Sequence, residues 1–96
     1  SEDSRIINVK LRDILFIETS GTAHKIRIHE EDRQMEFYGN LKDIQKKLTS
    51  NFYRCHKSYI VNKDKIREID MKNNKIVMVN GEECYVSFRY KKGLVS

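Results

Sequence analysis

Residues 51–62, NFYRCHKSYIVN, constrain this chain more than any other stretch. They open with aromatics, turn polar and cationic at Arg54-Cys55-His56-Lys57-Ser58, and close with the β-favouring run Tyr59-Ile60-Val61. That pattern predicts two short strands flanking a charged corner. The apolar ends bury themselves and hold the corner out towards solvent. Binding residues are often placed this way, on a loop positioned by a packed scaffold. An ordinary hairpin with solvated charges would read the same.

The rest of the chain continues in short strands. Residues 6–11 (IINVKL) alternate imperfectly and are expected as a strand, followed by a turn at Arg12-Asp13 and a mostly apolar strand at 14–18 (ILFIE). Thr19-Ser20-Gly21-Thr22 is turn chemistry. Residues 23–29 (AHKIRIH) place Ile26 and Ile28 on one face, and 33–38 (RQMEFY) return as the second arm of a hairpin. Gly39-Asn40 ends that arm. Asn40 is a good N-cap with Asp43 three residues on, and Leu41, Ile44 and Leu48 make one apolar stripe, so a helix of about ten residues docked on the sheet is expected. Residues 65–71 (KIREIDM) form a strand in which Ile66 and Ile69 flank a charged pair; 75–79 (KIVMV) and 83–87 (ECYVS) form a hairpin around Asn80-Gly81, which suggests a type I′ turn. Residues 88–95 read as a basic, aromatic tail. Eight or more short strands with one short helix give a mainly β fold. Tyr59, Ile60, Val61, Phe37 and Leu41 are assigned to the core.

The 96 residues suffice for one compact domain, and no repeat, low-complexity run or proline marks a boundary within them. The opening residues, SEDSRIINVKL, have a mid-domain character, so residues 1–96 are expected as a single domain excised from a larger protein, an excision that can leave its first strand behind. No run of about 18 apolar residues offers a membrane span and no signal segment opens the chain. Two cysteines make no disulfide framework and favour a reducing, cytoplasmic setting. The net charge of +5 points to a polyanionic partner. Its distribution says more: residues 84–96 carry Arg89, Lys91 and Lys92 and no acid, and residues 51–67 carry Arg54, Lys57, Lys63, Lys65 and Arg67 against Asp64 alone. Lys42, Lys46 and Lys47 lie off the helix stripe and read as a solvated face.

Catalytic machinery is not visible. Cys55 and His56 are adjacent, but strand neighbours point to opposite faces and cannot easily serve one metal or one substrate. There is no CxxC, HxxxH or paired-carboxylate pattern, and the glycines are scattered singly. The expectation is a non-enzyme with no catalytic residue, no metal and no cofactor. Two binding classes remain: a nucleic-acid-binding domain, or a protein-interaction module with a basic surface whose strand edges pair with a partner. Phe88 and Tyr90 are too few for an obvious RNA base-stacking platform.

Phe52, then Arg54-x-His56-Lys57-Ser58-Tyr59, then Ile60-Val61-Asn62 resembles the signature of LytTR-type DNA-binding domains, the output half of many bacterial response regulators. FYGNLK at residues 37–42 and RCH at 54–56 are similar to regulators of the staphylococcal quorum-sensing kind, and the likeness runs over residues 6–92. The resemblance implies an elongated stack of small antiparallel sheets with one short helix, laying loops rather than a recognition helix on DNA. It implies a cytoplasmic regulator of transcription, double-stranded DNA with promoter repeats as partner, a dimer on DNA in the full-length protein, no membrane, and an upstream receiver domain answering to a sensor kinase.

By resemblance, His24, Lys57 and Arg89 match three base-contacting positions on three separate loops, able together to reach successive major grooves. At Lys57 the staphylococcal regulators carry Asn and other members a basic residue; Lys reaches phosphate or guanine where Asn prefers adenine. Arginine's fork at Arg89 suits guanine O6 and N7. Lys25, Ser58, Lys91 and Lys92 are then expected on phosphates, and Arg54 either there or paired internally with an acid. Cys55 and Cys84 each sit in a strand near the proposed loops and are expected close together, as a redox pair or as two buried thiols serving as small hydrophobes.

Overall fold

The computed structural model describes residues 6–95. It is mainly β. The strands are β1 Ile14–Thr19, β2 Lys25–Glu30, β3 Gln34–Tyr38, β4 Phe52–His56, β5 Tyr59–Asn62, β6 Ile66–Asp70, β7 Lys75–Met78 and β8 Glu83–Tyr85; the helices are α1 Leu41–Gln45 and α2 Lys91–Val95. Short 3-10 turns occupy Leu11–Asp13, Lys63–Lys65 and Phe88–Tyr90. Two antiparallel sheets result, one ordered β3-β2-β1-β5-β4 and one ordered β6-β7-β8. The molecule measures 44 Å along its longest dimension and 24 by 23 Å across.

The five-stranded sheet is apolar on both faces. Ile17, Ile26, Ile28, Met35 and Ile60 pack with Leu41, Ile44 and Leu48 of the helical segment on one side. Leu15, Phe16, Cys55 and Val61 pack on the other against Ile76, Met78 and Cys84 of the small sheet, Val86 and Leu94 of α2. The layers therefore run helix, large sheet, small sheet. Asn40 caps α1 as expected: its side-chain oxygen accepts from the Asp43 N–H at 2.9 Å and its amide donates to the Asp43 carboxylate at 2.9 Å. Regular α-helix ends at Gln45, and the chain tightens into i to i+3 turns through Leu48, shorter than the expected ten residues.

Several local readings change. Residues 6–10 form no strand: the adjacent Ile6 and Ile7 do not alternate, Ile6 is 96% exposed, and the segment pairs with no described strand. The β7–β8 hairpin forms, but its turn is not type I′, because Asn80 does not take positive φ. Gly81 alone does (φ +92°), closing a three-residue loop by donating to the Met78 carbonyl at 2.8 Å. The expected tail is a 3-10 turn running into α2. In β6 the register slips between Ile66 and Glu68, and that extra residue brings Ile66 and Ile69, three apart, onto one buried face.

Two buried polar groups tie the parts together. Asn62, fully buried, donates to the Ile14 carbonyl at 2.9 Å and accepts from Asn51 and from the Asp64 N–H at 3.0 Å each. His29 stacks on Phe16 with ring centroids 4.0 Å apart, and its two nitrogens bond Glu82 of the small-sheet hairpin, at 2.8 Å, and Glu18.

Candidate nucleic-acid interface

Sheet register brings three connections to one end of the large sheet. β1 and β5 are antiparallel with Glu18 opposite Tyr59, and beyond that pair the Thr19 N–H donates to the Ser58 carbonyl at 3.1 Å. The β1–β2 loop and the β4–β5 corner are thus neighbours. The β3 exit joins them, since Lys25 lies opposite Tyr38 and the Gly39 N–H donates to the His24 carbonyl at 2.9 Å.

His24 is held in the left-handed region (φ +65°), uncommon for a residue with a Cβ. The loop imposes it: Ser20 N–H donates to the Lys25 carbonyl at 3.0 Å, Lys25 N–H to the Thr22 carbonyl at 3.3 Å, and Thr22 N–H to the Ser20 hydroxyl at 3.1 Å. The exposed imidazole makes no hydrogen bond with a described residue. Such strain persists only where surrounding structure enforces it, and it clusters at functional sites.

Lys57 and Ser58 are the two residues between His56 and Tyr59, the last pair of the β4–β5 ladder. The corner's polar groups are occupied by side chains. Arg54 donates to the His56 carbonyl at 2.9 Å and the Lys57 carbonyl at 2.6 Å, and the Ser58 N–H donates to His56 Nδ1 at 3.0 Å. That last bond requires His56 unprotonated at Nδ1; burial, with Lys57 and Arg54 nearby, holds its pKa below the ordinary value. The exposed Lys57 ammonium pairs with no described residue.

Arg89 sits on the 3-10 turn after β8. Ser87 N–H donates to the Cys55 carbonyl at 2.9 Å, joining that turn to β4 one residue before His56. The exposed guanidinium lies over the Tyr90 ring, 4.9 Å from its centre. Positively charged side chains from three separated segments therefore gather around one sheet end, with a histidine beside them. The opposite end, where β1 starts and β2 finishes, carries Asp13, Glu30, Glu31 and Asp32, with Arg33 paired to Glu30 at 2.7 Å.

A family model described as the LytTr DNA-binding domain matches residues 4–96. The chain belongs to the LytTR family of DNA-binding domains. Accessory gene regulator protein A of Staphylococcus aureus (strain N315) is 42% identical over 89 residues, 93% of this chain and 37% of that protein. Its namesake in Staphylococcus epidermidis (strain ATCC 12228) is 40% identical over the same share of each. The chain spans 37% of the length of these curated relatives. A solved LytTr DNA-binding domain from Bacillus cereus superposes with a TM-score of 0.80 at 27% identity, covering 94% of this chain and 87% of that one. LytTR domains are DNA-binding and non-enzymatic, and the antiparallel fold expected from the resemblance is the fold observed.

The remaining candidate positions of this LytTR domain differ in freedom. Lys92 is exposed. Lys25 lies over the Tyr38 ring at 4.9 Å, and Lys91 donates to the Met71 carbonyl at 3.0 Å while lying over Phe88 at 5.6 Å. Ser58 is half-buried in the corner. Arg54 pairs with no acid among the described residues; besides the two carbonyls it reaches the Gln45 side chain at 3.4 Å. Cys55 and Cys84 are both fully buried free thiols in one cluster, and a hydrogen bond with Cys55, then burial, pushes the Cys84 pKa up. Among the described residues no group of three or more His, Cys, Asp or Glu is placed to hold a metal ion, and no helix is long and apolar enough to cross a membrane. Sequence reading did not single out Tyr38 and Phe88 as exposed aromatics at this end: Tyr38, 77% exposed, lies opposite Lys25 across the β2–β3 ladder, and Phe88, 83% exposed, directly precedes Arg89. Alternation in β3 was the available signal for the first: Met35 and Phe37 point inward, so Tyr38 points out.

Proposed function

We propose that this LytTR domain binds duplex DNA sequence-specifically, as the output domain of a cytoplasmic bacterial response regulator that controls transcription in quorum sensing. His24, Lys57 and Arg89 read bases; Lys25, Ser58, Lys91 and Lys92 hold phosphates and fix register. The observation that carries the reading is the gathering of three partner-poor side chains on hydrogen-bonded loops around one sheet end. The 44 Å length suits contacts about 34 Å apart, one helical turn of DNA, and hence successive major grooves. A receiver domain upstream, its sensor kinase, and a dimer on repeated promoter sites complete the proposal. Cys55 and Cys84, buried in one cluster, serve as small hydrophobes, with a redox pair as the alternative; paired loss of both thiols in mild peroxide would support the redox pair, and two persistent free thiols would remove it.

The test is selection of bound sequences from a random duplex pool, followed by titration of the preferred and a scrambled duplex across salt. About four to six phosphate contacts give a log–log salt slope of roughly −4 to −5. A flat response would sink the DNA reading in favour of a protein-interaction module.

A further inference from the structure

We propose that Arg54 acts as a positioning residue for Lys57, fixing the β4–β5 corner from within rather than touching DNA. The inference rests on the reading of Lys57 as a DNA contact. A two-residue hairpin loop normally takes a primed turn, which needs positive φ and so favours Gly, Asn or Asp. Here the loop is Lys57-Ser58, and neither residue has positive φ. The strands instead accommodate the corner through the irregularity between Arg54 and His56, where Cys55 is the extra residue. The His56 and Lys57 carbonyls are both directed at a single guanidinium, at 2.9 and 2.6 Å. A planar fork satisfies two carbonyls at once, whereas an ammonium is a point charge with no such geometry. Arg54 is itself steadied by Gln45 at 3.4 Å. With these donors turned inward, binding a phosphate would compete with the bonds that aim Lys57.

Arg54→Lys keeps the charge and removes the fork. Relative to the parent domain, its affinity for the preferred duplex should fall about 5- to 100-fold, the range of one good base contact, with the scrambled duplex and the salt slope nearly unchanged. In a Lys57→Ala background the same change should cost little more, because the two residues then act as one unit. Hydrogen exchange on the free domain gives a reading independent of DNA: the Ser58 amide should exchange faster in Arg54→Lys while Ile60 and Val61 stay protected, which also verifies folding. Equal weakening on both duplexes in Arg54→Ala, with the slope reduced by about one and effects additive with Lys57→Ala, would overturn the proposal and make Arg54 a phosphate ligand. Unchanged exchange at Ser58 would overturn it as well. If the parent domain prefers no duplex, the functional reading fails, and exchange alone decides whether Arg54 holds the corner.

Discussion

The sheet end that carries His24 and Lys57 and the 88–95 segment that carries Arg89, Lys91 and Lys92 are anchored differently. The first is built into a five-stranded ladder, with hydrogen bonds joining neighbouring loops to each other. The second is held by Ser87 bonded to Cys55, the Tyr53 hydroxyl bonded to the Tyr90 carbonyl at 2.9 Å, Lys91 bonded to the Met71 carbonyl at 3.0 Å, and Leu94 in the core, among other contacts. Redundant anchoring makes the ladder of the first region tolerant of the loss of any single inter-loop bond, although the Lys57 corner within it still depends on Arg54. The second concentrates its positioning on a few contacts, so one misplaced atom should displace every charge it carries.

Gly93→Ala tests that contrast most severely. A Cβ there would stand 2.2 Å from the Tyr53 hydroxyl and 2.9 Å from its ring carbon, against a half-buried side chain already bonded to Tyr90. The expected loss is about 1–3 kcal/mol of stability by overpacking, with preferred-site affinity falling through Arg89. Thermal unfolding and titration on both duplexes check it; a variant of normal stability and specificity would show the segment to be as well anchored as the sheet end.

Next in size is Arg89→Ala, expected to cost about 1–3 kcal/mol on the preferred duplex and much less on scrambled DNA. Lys92→Ala should weaken both alike and reduce the salt slope by about one. Equal losses on both duplexes for Arg89→Ala would reduce it to a phosphate anchor. Asn40→Ala removes the α1 cap on the sheet face away from the small sheet and should cost about 1 kcal/mol of stability, leaving specificity intact. A change in base preference there would extend the sensitive region beyond the 88–95 segment.

The smallest effect concerns pH. Burial first, then Lys57 and Arg54, lowers the His56 pKa in the folded state. As pH falls below about 6.5 the unfolded chain takes up this proton first, so the stabilisation is complete above that value and fades as pH drops through the lowered folded pKa. His56→Gln should flatten this part of the stability profile, measured by denaturant unfolding between pH 7.5 and 5. An unaltered profile would show that the corner does not register the proton.

What was legible in the sequence obeyed local rules. The Asn40 cap, the Ile26/Ile28 alternation and the buried Tyr59-Ile60-Val61 strand follow from neighbours within a few residues. The irregularities were hidden because they answer to a partner: Ile66 and Ile69 share a face only through a slip against β7, and residues 6–10 fail as a strand because no described strand pairs with them. At the site, the resemblance supplied His24, Lys57 and Arg89, while residue type and position gave the exposed loops. Arg54 was read as a phosphate ligand or half of an ion pair because its two carbonyl acceptors belong to the backbone, which leaves no trace in residue type.

The strand order has a kinetic consequence, marked by Asn62. β1-β2-β3 is a meander of adjacent hairpins and β4-β5 is another, so both can form from contacts close in sequence. The large sheet exists only once β1 meets β5, and the Asn62 bond to Ile14 spans that seam, 48 residues apart. Closing a long loop must precede the reward for it, which makes such pairings slow. Docking of the two preformed pieces is therefore the expected rate-limiting step, and Asn62→Ala should slow refolding if the seam is already made at the barrier. A chevron in which only the unfolding limb moves would place that seam after the barrier instead.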